Sequence, residues 1–166
     1  MEYVYVGRIV TTHGIKGEIK IRSNFKYKDK VFVVGNTLYI GKNYEERKIL
    51  SYRVHKDYDM VMLDGLDDID KVIPYKNLLV FVSKDQLKLS YNQYVNEDFI
   101  NMSVYFNNNF IGTVVSINDM GNGNDVFVIK DRNKTIYVPK NDNFIDVVDL
   151  KNNILLLKNV EGLVWK

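Results

Sequence analysis

The stretch GRIVTTHGIKGEIKIRS, residues 7–23, decides the fold. Apolar and polar residues alternate on both sides of its THGIKG centre, in YVYVGRIV before it and in EIKIRS after it. In the second run Ile19 and Ile21 fall on one face, with Glu18, Lys20 and Arg22 on the other. A period of two belongs to a half-buried strand, so the segment reads as two strands and a short connection. Gly14 and Gly17 bracket Ile15 and Lys16 in that connection, where a positive φ or a close backbone approach is expected. A phosphate-cradling loop would need G-x-x-x-x-G-K, then Ser or Thr and a helix; here a strand follows Gly17.

The same alternation recurs along the chain. NTLYIG (36–41), RKILSYRVH (47–55), MVMLDG (60–65) and LLVFVS (78–83) are strand candidates. LDDIDKV (66–72) reads as a short helix, capped by Asp67 or Asp68 and ended by Pro74. Residues 85–97, DQLKLSYNQYVNE, show no clean period and read as an interdomain connection. A second strand series follows: MSVYF (102–106), FIGTVVSI (110–117), VFVIK (126–130), TIYVP (135–139) and NILLLK (153–158). Turn residues separate them, at Asn107–Asn109, in the glycine loop MGNGND (120–125), in DRNK and in DLKNN. Asn124 and the loop glycines suit left-handed conformations, and Asp125 is expected to cap that turn. Short strands between turns point to barrels rather than βαβ units. Composition agrees, because alanine is absent while 12 Tyr and 8 Phe favour strands. The expectation is a mostly β protein with an N-terminal domain at 1–84, a linker at 85–97 and a C-terminal domain at 98–166.

A 46% hydrophobic and 27% charged chain is of the soluble globular kind. No apolar run approaches the ~18 residues of a membrane-spanning helix. The N-terminus has no basic start, apolar run and small-residue cleavage site, so a cytoplasmic protein is expected. Without cysteine there is no disulfide or thiolate chemistry. Charge divides unevenly: residues 1–84 hold 15 Lys+Arg and 11 Asp+Glu, against 8 and 10 in residues 85–166. The excess gathers at Lys16, Lys20, Arg22, Lys26, Lys28 and Lys30. Lys20 and Arg22 share the outer face of one strand, a patch suited to nucleic-acid phosphates or to an acidic protein surface, or simply to solvent.

His13 is the natural candidate for catalysis, yet no orienting group or activated partner is marked beside it, and no G-x-S-x-G is present. His13 and His55 stand far apart in sequence, so a metal site would need carboxylates from unmarked places, and none is expected. DGLDDID lacks the alternating ligands and closing Glu of a calcium loop. Tyr91 and Tyr94 lie in the connection, outside any core pattern, where a tyrosine suits either an interface anchor or interdomain packing.

Taken in order, these segments resemble the RimM family of ribosome maturation factors. GRIVTTHGIKGEIKI resembles the family's opening G-x-I-x-x-x-H-G-x-x-G-x-x-x-V, and VMLDGLDDIDKV its glycine-then-acidic-helix segment. YVNEDFINMSV sits where the family has Tyr-Tyr-x-x-Asp-Leu-Ile-Gly, with Val95 and Asn101 as departures. GNGNDVFVI resembles its Gly-x-Asn-Asp loop, and YVPKNDNFIDVVDLKNNILLLKNVEGLV its closing segment. The resemblance implies a six-stranded N-terminal barrel like those of translation factors and a C-terminal PRC-type barrel. It implies a non-enzymatic factor without cofactor, a monomer that binds the immature small (30S) subunit and assists head assembly and 16S rRNA processing. Small-subunit ribosomal protein uS19 is the implied protein partner. Carried over, Tyr94, with Tyr91, Asp98, His13, Lys16, Lys20 and Arg22, forms the partner-binding set. Gly14, Gly17, Asn124, Asp125, Pro139 and Gly162 are structural motif positions. The competing readings are a general RNA-binding β-barrel module and an enzyme built on His13.

Overall fold

Alternation in the first strand, β1 (Tyr3–His13), buries Val4, Val6 and Ile9 on one side. The computed structural model describes residues 1–121 and 123–164; Asn122 of the glycine loop and residues 165–166 lie outside the described residues. The chain forms two compact units, Met1–Asn92 and Gln93–Lys166.

In the first unit β1 is followed by β2 (Glu18–Arg22), β3 (Thr37–Ile40), β4 (Glu45–His55), β5 (Tyr58–Leu63) and β6 (Leu79–Ser83). They close into a barrel in the order β1-β2-β5-β4-β3-β6, with β6 returning to pair antiparallel with β1. Register shifts interrupt β1 between Tyr5 and Gly7 and between Ile9 and Thr11, and β4 between Ile49 and Ser51. An extra residue on one strand of a pair sharpens its coil, which helps a six-stranded sheet turn through a full circle. Ile19 and Ile21, opposite Val61 and Asp59, face the interior and are fully buried.

Three short helices shape this barrel. α1 (Lys28–Val31) buries Val31, and Lys28 reaches Asp59 at 2.8 Å. α2 (Ile69–Val72) is capped by Asp68, whose carboxylate accepts from the Lys71 N–H at 3.1 Å; a 3-10 turn, Ile73–Tyr75, carries Pro74. Helix α3 (Lys84–Leu87) lies in the segment expected to be a connection. It buries Leu87, and the Gln86 side chain exchanges two hydrogen bonds with the Thr37 backbone.

The second unit begins with α4 (Asn96–Phe99), followed by β7 (Ser103–Phe106), β8 (Asn109–Asp119), β9 (Asp125–Asp131), β10 (Lys134–Pro139), β11 (Ile145–Asp149), β12 (Ile154–Leu157) and α5 (Glu161–Val164). The strand order is β10-β9-β8-β7-β12-β11, with β12 and β7 parallel and all other pairs antiparallel. One core takes Ile136 and Val138 from β10, at one end of the ladder, and Ile145 and Val148 from β11, at the other. The all-β expectation holds, as does the six-stranded first unit; the second unit also has six strands, one more than were read in the sequence. β11 was missing from the strands read in the sequence, because the register slip between Ile145 and Val147 interrupts its alternation.

Candidate functional site

The THGIKG connection is fixed by the helix it meets. Gly17 has φ +88°, and a Cβ there would lie 2.5 Å from the Leu66 carbonyl oxygen and 3.0 Å from the Asp68 nitrogen. Only a glycine lets loop and helix approach so closely. The Ile69 N–H donates to the Ile15 carbonyl across the same contact at 3.1 Å. The neighbouring Gly14 needs its glycine for φ +73° alone, since its surroundings are open.

Beside this loop lies the basic outer face of β2, β4 and β5. The Lys20 Nζ sits 4.1 Å above the Tyr58 ring, the Arg22 guanidinium carbon lies 5.5 Å from it, and Arg22 donates to the Tyr58 hydroxyl at 2.8 Å. Both cations are held by an aromatic face and, among the described residues, not by a carboxylate, so their charge is not neutralised there. Glu18 behaves differently: Arg53 donates to both of its oxygens, at 2.9 and 2.7 Å. That hydrogen bond, outweighing burial, holds the Glu18 carboxyl below its ordinary range.

His13 falls in the THGIKG connection by sequence, with no partner marked beside it. It is instead the last residue of β1, and its ring lies 5.4 Å from that of His55, the last residue of β4. Separation along the chain concealed a pairing that barrel closure creates. Burial first, then the charges of Arg53, Lys56, His13 and Lys20, hold the His55 imidazole below its usual value. An open cavity of about 370 Å³ adjoins His13, lined also by Gly14, Ile15, Lys16, Glu18 and Met62. His55, Arg53 and Tyr58 were missed as site residues. The signal available was the alternation of β4, which places Arg53 and His55 on one face.

The second unit gathers a different set. Tyr94 is half-buried, packs on the core and meets the edge of Phe99 at 5.9 Å. Asp98 accepts from the Val95 N–H at 3.0 Å, which fixes the first turn of α4. Lys140 donates to the Asn96 side chain at 2.7 Å and lies 5.4 Å from the Phe99 ring centre. Asp125 was expected to cap the glycine loop; among the described residues its side chain bonds to α4. Its carboxylate accepts from the Asn96 amide at 3.3 Å, while Asp119 takes the Gly121 N–H at 2.8 Å. The loop approaches α4 through Asp125, which explains the exchange. Asn124 closes the loop by donating to the Gly121 carbonyl at 3.0 Å. Pro139 ends β10 opposite Val126, and Gly162 lies in α5. Tyr91, in the first unit, is 94% exposed.

Comparison with known proteins gives matches along both units. A family model described as the RimM N-terminal domain matches residues 4–87, and one described as the RimM PRC barrel domain matches residues 96–163. The ribosome maturation factor RimM of Staphylococcus haemolyticus is 37% identical over 166 residues, covering 97% of this chain and 98% of that protein. The protein of the same name from Ligilactobacillus salivarius is 35% identical over 168 residues, covering 98% and 99%. That from Bacillus mycoides is 34% identical over 166 residues, covering 96% of each.

Proposed function

The chain belongs to the RimM family, and we propose that it is a ribosome maturation factor that binds the immature small subunit and assists assembly of its head and 16S rRNA processing. The observation that carries this reading is the 37% identity to a named maturation factor along nearly the whole of both chains. The work is done by binding. The carboxylate nearest His13 is occupied at both oxygens by Arg53, which suits charge balance more than proton transfer.

A factor of this kind acts by differential affinity. Equal binding to immature and finished subunits shifts no population, so the productive or incomplete conformation must be preferred. The half-buried Tyr94, beside a helix turn fixed by Asp98, supplies a protein contact to uS19, and the exposed Tyr91 supplies additional contact area. The strand carrying Lys20 and Arg22, with Lys16 and His13 nearby, supplies the salt-sensitive attraction. The central test is co-sedimentation of the full chain with immature subunits, mature subunits and whole ribosomes at two salt concentrations. Preference for the immature or free small subunit is the expected result. Equal binding to every RNA-containing particle would overturn it in favour of a general RNA-binding barrel.

Two substitutions refine the assignment. Tyr94→Ala is expected to weaken co-sedimentation by roughly tenfold, as for an aromatic interface anchor, with thermal unfolding verifying the fold. Undiminished binding would remove Tyr94 from the interface. Changing Lys20 and Arg22 to Gln is expected to reduce the slope of log affinity against log salt by about 1.5, since each phosphate contact contributes roughly 0.7–0.9. An unchanged slope would make them a solvated face.

A further inference from the structure

The chain contains two histidines, and the barrel brings both to one place on its surface. The groups facing them are Glu18 and Lys20 from β2, Arg53 from β4, Lys56 from the following turn and Lys16 from the connection after β1. With Arg22 and Asp57 included, five permanent cations stand against two carboxylates, an excess above the +2 of the entire chain. One carboxylate, Glu18, is already engaged by Arg53. Burial and the charges of Arg53, Lys56 and Lys20 oppose a proton on His55, whose ring lies 5.4 Å from that of His13, and an arriving anion offsets that opposition.

We propose that the His13–His55 pair, with Lys16 and Lys20, is a proton-gated contact for RNA phosphates. The open cavity beside His13 has room for a phosphate group. Lys20 and Arg22 then continue the cationic track along β2, two residues or about 7 Å apart, which suits an extended polyanion better than one small ion. Among the described residues neither makes an ion pair with a carboxylate, so both remain available for phosphate. The inference rests on the maturation-factor reading only for taking that polyanion to be ribosomal RNA.

The sign of the pH dependence follows from the charges. Phosphate stabilises the imidazolium form, so the complex takes up protons, and affinity rises as pH falls through the histidine range. Each proton taken up changes the affinity by up to about tenfold per pH unit. The test uses the full chain and an oligouridylate of about twelve nucleotides, with affinity measured between about pH 6 and pH 8 at constant ionic strength. In parallel, proton NMR follows the imidazole C–H signals, which two histidines make simple to assign. The expected result is roughly tenfold tighter binding at the acid end, with both histidines titrating at higher pH when RNA is bound. In the double variant His13→Asn, His55→Asn the dependence falls below about twofold.

Histidine titrations unmoved by RNA, or a double variant with the full pH dependence, would overturn the proposal. Poly-glutamate moving the histidines as far as RNA does would overturn it in favour of an acidic protein surface. Inorganic phosphate reproducing the whole effect would overturn the extended polyanion. Selective co-sedimentation with small subunits, retained while RNA leaves the histidines unmoved, would sink this inference and spare the maturation-factor reading. The reverse pattern would do the opposite.

Discussion

Replacing Gly17 with valine is expected to destabilise the first unit by about 3 kcal/mol, lowering its melting temperature by roughly 15 °C for a unit of this size. Two costs coincide at this position. The backbone sits at φ +88°, where a β-branched side chain is strained. The new Cβ would also fall 2.5 Å from the Leu66 carbonyl oxygen and 3.0 Å from the Asp68 nitrogen. Those neighbours are backbone atoms and cannot turn aside. Relief requires the loop to leave α2, which breaks the Ile69–Ile15 hydrogen bond and uncovers Leu66, now 3% exposed. Gly14→Ala provides the control, because its φ is also positive but nothing lies nearby, so a cost of about 1 kcal/mol is expected. Thermal unfolding followed by circular dichroism reads both. If the two variants melt together, the loop–helix contact carries no stability.

The second large effect is expected from Asp59→Ala. Asp59 is 1% exposed, opposite Ile21 in the β2–β5 ladder, with one oxygen hydrogen-bonded and the other held by an ion pair alone. Lys28 reaches Oδ2 at 2.8 Å, and the Tyr52 hydroxyl donates to Oδ1 at 2.6 Å. Phe32 stacks on the Tyr52 ring, with centroids 5.2 Å apart, so α1 and the segment after it are tied to β4 and β5 through this carboxylate. Burial, reinforced by Asp59, pushes the Tyr52 hydroxyl far above its ordinary value and keeps it a donor. Removing the carboxylate strands that hydroxyl and leaves a cavity, while Lys28, already 34% exposed, recovers water. The expected loss is about 3 kcal/mol, near the lower end for breaking a buried pair. Asp59→Asn keeps an acceptor for Tyr52 and is expected to lose about half as much. Urea unfolding of the two variants decides it, and an alanine variant no weaker than the asparagine one would show that the network holds nothing.

The strand faces were legible because alternation is a local property. Ile19 and Ile21 went inward and Lys20 and Arg22 outward as their spacing required. The acidic helix was legible too, since Asp68 and Pro74 mark its ends chemically. What escaped was non-local or too short to carry a period. α1 is one turn inside a basic run, without a side-chain cap. The His13–His55 contact and the Lys28–Asp59 link join segments far apart in the chain and exist only once the strands between them are assembled, while the Tyr52–Asp59 bond lies within the β4–β5 hairpin and depends on its register. Asp125 was placed in the correct loop, but the amide it accepts from, that of Asn96, comes from a segment outside that hairpin.

The parallel pairing of β7 with β12 also imposes an order in time. Ser103 faces Ile154 across that ladder, so β7 has one neighbour available at once, in β8, and awaits the other for some fifty residues of synthesis. Barrel closure in the first unit spans a wider gap, from Tyr3 to Ser83, yet all of its strands have been made before β7 exists. Since domains fold as units and the N-terminal one first during synthesis, the basic barrel matures on the nascent chain. The half that carries Tyr94 waits unfinished, with one side of β7 open, until translation has passed Leu157. A factor read here as a helper of ribosome assembly thus acquires its two halves in sequence, its own second half completed last.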